Sequence, residues 1–265
     1  MLWEPGIRLR LDIEARYDSN VSKVALTSQP ADKAQALVLA QTYGIPFEVE
    51  PQGYDFVLCW TGERLELLEL KRQTKPLFVD FTRGKAAYRA AGKRLEPLAR
   101  AVGVKGEHRP YVVDATAGLG QDAFVLAASG CKVLMLERSA VIAALLADGL
   151  RRLDTKMKEN KAEENLSLVF GEASQQLPDL SPKPDVVYLD PMYPDSGKSA
   201  AKRKSMRIFR ELVGDDLDAA ELLDIALNAA QKRVVIKRPL KAPALKGKPS
   251  AQLKGSTTRF DIYLV

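Results

Sequence analysis

Tyr111-Val-Val-Asp-Ala-Thr-Ala-Gly-Leu-Gly-Gln-Asp122 takes the chain from an apolar run, through a glycine turn, into a helix. Tyr111 to Thr116 reads as a buried strand. Gly118 and Gly120 let the backbone turn tightly and approach a ligand where a β-carbon would clash. Gly120 to Ser129 reads as a helix ended by Gly130. The alternation continues down the chain. Lys132 to Glu137 is the next strand, and Ser139 to Leu153 an amphipathic helix with Ser139 as its N-cap. Leu166 to Phe170 and Val186 to Leu189 are the third and fourth strands. Glu221 to Ala230 is a helix, Arg233 to Lys237 a fifth strand, and Arg259 to Val265 a closing strand with period-two alternation. Strands separated by helices predict an α/β fold whose parallel sheet is covered on both faces. The polar stretch from Thr155 to Asn165 and the Pro/Lys/Gly-rich stretch from Lys241 to Lys254 read as loops.

Residues 1–100 have a different pattern and are predicted to form a smaller α+β domain ahead of a domain over 101–265. Asp32 to Tyr43 reads as a helix, with Asp32 near its start and Gly44 just past its end. Phe56 to Trp60 and Leu65 to Leu70 read as a hairpin, and Leu77 to Phe81 as a third strand. Gly84 to Arg100 reads as a basic helix carrying Lys85, Arg89, Lys93 and Arg94. That helix is either a solvated face or a surface that contacts phosphates.

The 265 residues are 46% hydrophobic and 28% charged, which suits a folded globule. The apolar run Ala140 to Ala147 is too short to span a bilayer, and the N-terminus lacks a basic region followed by an apolar core. Cys59 and Cys131 lack a CxxC partner and are expected to be buried thiols of a reducing cytosol. A single histidine, His108, argues against a His-based triad or a multi-His metal centre. No membrane and no metal are therefore expected. Net charge is +6 and the pI about 9.2, only a mild hint of a polyanionic partner.

The residues around the glycine turn suggest a nucleoside site. Glu137 lies 19 residues after Gly118, placed to meet ribose hydroxyls, with Arg138 beside it. Ala173 and Ser174 follow the third strand, where an adenine edge meets a polar group. Gly118 to Ala123 also matches a relaxed dinucleotide pattern. Asp114 before the turn and Asp122 in the first helical turn would repel a pyrophosphate. S-adenosylmethionine (SAM) carries a sulfonium and an ammonium and no phosphate, so it suits these acids. Helix capping and dipole compensation are the alternative reading of the two aspartates, weaker for Asp114 than for Asp122.

The fourth strand runs into Asp190-Pro-Met-Tyr-Pro194, at the rim where ligands sit in open α/β sheets. The Asp190 carboxylate and the Pro191 carbonyl can accept from an exocyclic amine, and Tyr193 can stack on the ring. A proline-rich turn is the plainer alternative. Lys198, Lys202, Arg203, Lys204 and Arg207 follow directly, and Lys237 and Arg238 end the fifth strand. These cations either grip RNA phosphates or form a solvated face.

Together, Asp114 to Ala127, Met135 to Arg138, Val187 to Pro194, Val235 to Pro239 and Arg259 to Tyr263 resemble the ribosomal RNA small subunit methyltransferase J family. The resemblance extends from about Phe78 to the end and is much less clear before it. Asp190 to Pro194 resembles the [DNS]-P-P-[YFW] motif of amino-group methyltransferases, with Met192 in place of the second proline. The resemblance implies a Rossmann-like class I SAM-dependent methyltransferase sheet and a cytoplasmic enzyme. It implies SAM as donor and 16S ribosomal RNA, or the small ribosomal subunit, as partner, with methyl transfer to guanine N2. The family's donor-contacting positions fall on Gln121, Asp122, Glu137, Arg138, Ala173, Ser174 and Asp190. Gln121 and Ala173 stand where arginine and serine are more usual, so the resemblance carries backbone rather than side-chain contacts there. An adenine- or glutamine-N methyltransferase, or a non-catalytic RNA-binding protein on this fold, would share much of this pattern.

Overall fold

The computed structural model describes residues 9–11, 23–72, 74–90, 96–156, 164–191, 207–208, 210–212 and 218–265. Eleven strands form two sheets among these residues. The smaller sheet holds β2 (Val24–Ser28), β3 (Phe56–Trp60) and β4 (Leu65–Glu69), in that order. The larger holds β1 (Leu9–Leu11), β5 (Val112–Asp114), β6 (Val133–Glu137), β7 (Leu166–Phe170), β8 (Val186–Leu189), β9 (Arg233–Pro239), β10 (Ala251–Lys254) and β11 (Thr258–Leu264). Its order is β1-β7-β6-β5-β8-β9-β11-β10. The pairs from β1 to β9 are parallel, and β11 and β10 close the sheet antiparallel. Strand order reverses between β5 and β8, which puts a ligand crevice at their carboxyl ends.

Side chains alternate across this sheet and build a core on each face. Val112, Val133, Met135, Val186, Tyr188 and Val235 face one core, packed by α4 (Gln121–Ala128) and α5 (Ala140–Lys156). Val113, Leu134, Leu136, Val187, Leu189 and Val234 face the other, packed by α6 (Ala173–Gln176) and α7 (Ala219–Ala229). Asp114, Tyr188 and Lys237 share the strand face of the first core, so they rise toward the start of α4. No helix among the described residues is long and apolar enough to cross a membrane.

The small sheet joins the first core rather than standing apart from it. Asp148 of α5 is buried and accepts from the Leu65 amide at 3.0 Å, Arg151 at 2.9 Å and Arg152 at 2.9 Å. Arg151 also lies over the Trp60 ring, 5.2 Å from its centroid. The helix α1 (Lys33–Tyr43) ends where expected, with the left-handed Gly44 donating to the Ala40 carbonyl, but Asp32 makes no side-chain cap bond.

Three further expectations are corrected. Leu77 to Phe81 is no strand; only Leu77 bridges to Leu67, and Val79 and Phe81 turn into the core. In place of one basic helix from Gly84 to Arg100, the described residues hold α2 (Gly84–Ala90) and α3 (Pro97–Val102), with Pro97 opening the second; Lys93 and Arg94 lie outside the described residues. The stretch read as a loop to Lys254 contains β10, which pairs with β11.

Gly149 sits within α5 where a β-carbon would collide with Val79 Cγ1. Replacing it with alanine gains up to about 1 kcal/mol of helix propensity but overpacks the core, which costs about 1–3 kcal/mol. Gly149→Ala is expected to lower the urea midpoint without changing the slope of the transition.

Candidate active site

The glycine turn between β5 and α4 forms one half of the site. Gly118 and Gly120 hold φ at 54° and 68°, a region that favours glycine. At Gly120 the space is needed by the protein itself. A β-carbon there would lie 2.7 Å from Leu146 Cδ1 and 3.1 Å from Phe81 Cζ. This corrects the reason for that glycine, which was expected to make room for a ligand. Glu137, buried at the end of β6, fastens the turn. Its Oε2 accepts from the Gly118 amide at 2.8 Å and its Oε1 from the Ser139 amide at 2.8 Å. The Ser139 hydroxyl, expected to cap α5, is instead buried with no hydrogen-bond partner among the described residues.

The end of β8 forms the other half. The Asp190 amide donates to Thr116 Oγ1 at 2.7 Å, and the Thr116 amide donates to Asp114 Oδ1 at 3.2 Å. The turn and the Asp190-Pro191 corner are thus one hydrogen-bonded unit. The Asp190 side chain is 38% exposed while Pro191 is buried. At the opposite end of β8, Asp185 accepts from the Tyr111 amide at 2.9 Å and pairs with Lys232, which is structural work.

A network of charges lies beneath this rim. Asp122 Oδ1 accepts from Arg89 at 2.7 Å, and its Oδ2 from the Tyr188 hydroxyl at 2.7 Å and Lys237 Nζ at 2.6 Å. Lys237 Nζ also reaches Asp190 Oδ2 at 2.6 Å. Burial pushes the Asp122 carboxyl up, but Lys237 and Arg89 outweigh it and hold the group well below the usual carboxylate range. Burial pulls the Lys237 ammonium down, and Asp190 and Asp122 outweigh that in turn, raising it above its ordinary value. Asp114 differs. Burial, and then the neighbouring Asp122 together with Asp190, push it well above its ordinary 3.8 against the opposing Thr116 amide and Lys237.

The remaining expected residues fall as follows. Gln121 is exposed and lines a cavity of about 340 Å³ with Phe78, Asp80, Phe81, Arg83 and Leu119; Asp190 is not part of that wall. Arg138 pairs with Asp218 at 3.2 Å. Ala173 is buried and Ser174 half-buried at the start of α6. Tyr193, Lys198, Lys202, Arg203 and Lys204 lie outside the described residues. Arg207 is held by Glu69 and Glu211, each at 2.7 Å. Arg238 corrects the expectation of a phosphate contact: it is buried and donates to the Pro243 carbonyl at 2.6 Å. Lys237 was likewise expected to face phosphates and instead joins two aspartates. Tyr188 and Thr116 were missed. The signal for Tyr188 was a hydroxyl on an otherwise apolar strand; that for Thr116 was a hydroxyl two residues past a strand-end aspartate.

The family model for SAM-dependent methyltransferases matches residues 39–265. The chain belongs to this family. It is 49% identical over 253 residues to the ribosomal RNA small subunit methyltransferase J of Thioalkalivibrio sulfidiphilus, covering 93% of this chain and 98% of that one. Identity to the protein of the same name from Proteus mirabilis is 46%, over 90% and 97% of the two chains. The crystal structure of a SAM-dependent methyltransferase from Neisseria gonorrhoeae superposes with a TM-score of 0.74 at 35% identity, covering 91% of this chain and 95% of that chain.

The residues present fit the methyltransferase donor. Asp114 is a buried carboxylate at the end of β5, held beside the glycine turn by the Thr116 amide and next to two other carboxylates, so an amino-acid ammonium would be favoured beside it.

Because the folded protein raises the Asp114 pKa, stability is lost as pH climbs from about 3.8 through the folded value. Asparagine keeps the acceptor for the Thr116 amide and cannot ionise. Asp114→Asn should raise the urea midpoint at pH 8, with the gain shrinking as pH falls toward 4. The same variant should bind SAM more weakly in calorimetry.

Proposed function

We propose that this methyltransferase transfers the SAM methyl to the exocyclic N2 of a guanosine in 16S ribosomal RNA, in the cytoplasm. The observation that carries this reading is the bond from the Asp190 amide to Thr116 Oγ1. It holds an amine-accepting corner against the glycine turn of the donor site. The names of the relatives point to the small-subunit RNA as substrate. In this reading Glu137 and Arg138 stand at the donor's ribose and adenine, Ala173 and Ser174 at the adenine edge, and Asp114 at its ammonium.

The bound donor supplies a methyl group on a cationic sulfur. The protein's part is positioning. The N2 lone pair is drawn into the guanine ring, so the amine is a weak nucleophile. Accepting its two N–H bonds at the Asp190 carboxylate and the Pro191 carbonyl turns the remaining lone pair toward the methyl carbon. With the donor bound, the amine nitrogen would bond the methyl carbon as the C–S bond broke, leaving the bonding pair on sulfur, and the nitrogen would then release one proton to solvent. Tyr193 stacks on a guanine that has left its helix. The 1–100 unit adds an RNA-contacting surface to the 101–265 methyltransferase unit.

Asp190→Ala should abolish transfer to 16S RNA, read by mass mapping of methylated nucleosides, while SAM and RNA binding persist; retained turnover overturns the role. Replacing Lys202, Arg203 and Lys204 together with alanine should weaken RNA binding and reduce its salt slope by about one for each phosphate no longer neutralised. An unchanged slope would show that these cations face solvent alone.

A further inference from the structure

Lys237 lies in β9 beside Arg238, two neighbouring basic residues, yet its ammonium is spent inside the protein. It stands 2.6 Å from Asp122 Oδ2 and 2.6 Å from Asp190 Oδ2. The strand register explains the meeting. Leu189 of β8 pairs with Ile236 of β9, so the next residue on each strand, Asp190 and Lys237, comes side by side at the rim. Asp122 is in turn held from its other sides by Arg89 and the Tyr188 hydroxyl. An anchored carboxylate thus holds the ammonium, and the ammonium holds a carboxylate that is more than a third exposed.

We propose that Lys237 is a positioning residue for methyl transfer, fixing through Oδ2 the plane in which the Asp190 carboxylate accepts the target amine. This rests on the role given to Asp190 above. An aspartate at a strand end rotates about its Cβ–Cγ bond when nothing holds it. Rotation swings both oxygens, so the amine would be held with its lone pair off the line to the methyl carbon. A donor at one oxygen removes that freedom before the RNA arrives. Asp122 serves as the second anchor: it keeps the ammonium from following Asp190 out into solvent. Arg89 belongs to α2, so the anchor also depends on the segment between β4 and β5.

The test compares Lys237→Met, Lys237→Arg and Asp190→Asn with the wild-type chain. It uses methyl transfer to 16S RNA for kcat and KM and calorimetric SAM binding as the check on folding. A misplacement of about 1 Å costs about 100-fold in rate. Lys237→Met should therefore lower kcat by about that factor, with KM for RNA and the Kd for SAM nearly unchanged. Lys237→Arg keeps the charge and should recover part of the loss. In the Asp190→Asn background, adding Lys237→Met should cost little more, because both changes remove one interaction. If the methionine variant does not fold, Lys237→Gln, which can still donate to Asp122, takes its place. An unchanged kcat overturns the proposal. So does a loss confined to RNA affinity and its salt slope, which would make Lys237 a phosphate contact. Independent, multiplying losses in the double variant would overturn it as well. A wild-type chain that methylates no 16S RNA would instead overturn the proposed function, a separate outcome.

Discussion

The Lys237 ammonium sits between two carboxylates at the rim of the sheet, and much of the site follows from that contact. Lys237 and Arg89 bind Asp122 directly, and Lys237 also binds Asp190. Asp114 is buried beside both of these carboxylates, and its own carboxyl is pushed upward by burial and by their charge. Carboxylates so placed repel a pyrophosphate and attract a cation. The glycine turn alone fits either a dinucleotide or a sulfonium nucleoside. The charge beneath it decides in favour of the second, in agreement with the family to which the chain belongs.

The elements of the large sheet were legible because each strand carries its own local signal. Val112-Val113, Val133 to Leu136 and Val186 to Leu189 are apolar runs bounded by turns, and parallel strands buried on both faces read that way. Pairing was not legible, because strand order is a property of the whole chain. Lys237 and Asp190 are 47 residues apart and meet only because β9 lies next to β8. A count of basic residues treats Lys237 and Arg238 alike. The alternation of a strand separates them: Lys237 reaches the acids of the first core, while Arg238 turns to the opposite side and lies beside Arg259 and the Pro243 carbonyl.

Residues 77–81 show the opposite error, a local signal that tertiary packing overrode. Leu77, Val79 and Phe81 alternate with Phe78 and Asp80 as a half-buried strand would. Only the Leu77 backbone finds a strand partner. Val79 and Phe81 instead fill space left by glycines that the sequence places far away, Gly149 on α5 and Gly120 in the turn. A glycine within a helix weakens it, and here the close approach of Val79 offsets that weakness.

The same packing bears on what the first hundred residues do for the site. Phe81 stacks on Phe124 of α4, with ring centroids 5.1 Å apart, and abuts Gly120. Arg89 supplies one of the two cations that hold Asp122. Asp148 ties the start of β4 to α5. A segment attached only to deliver RNA would need none of these. Its side chains instead set the position of the glycine turn and part of the charge beneath it. A change of packing around Phe81 or Arg89 therefore acts first on the donor turn and, through Asp122 and Lys237, on the orientation of Asp190.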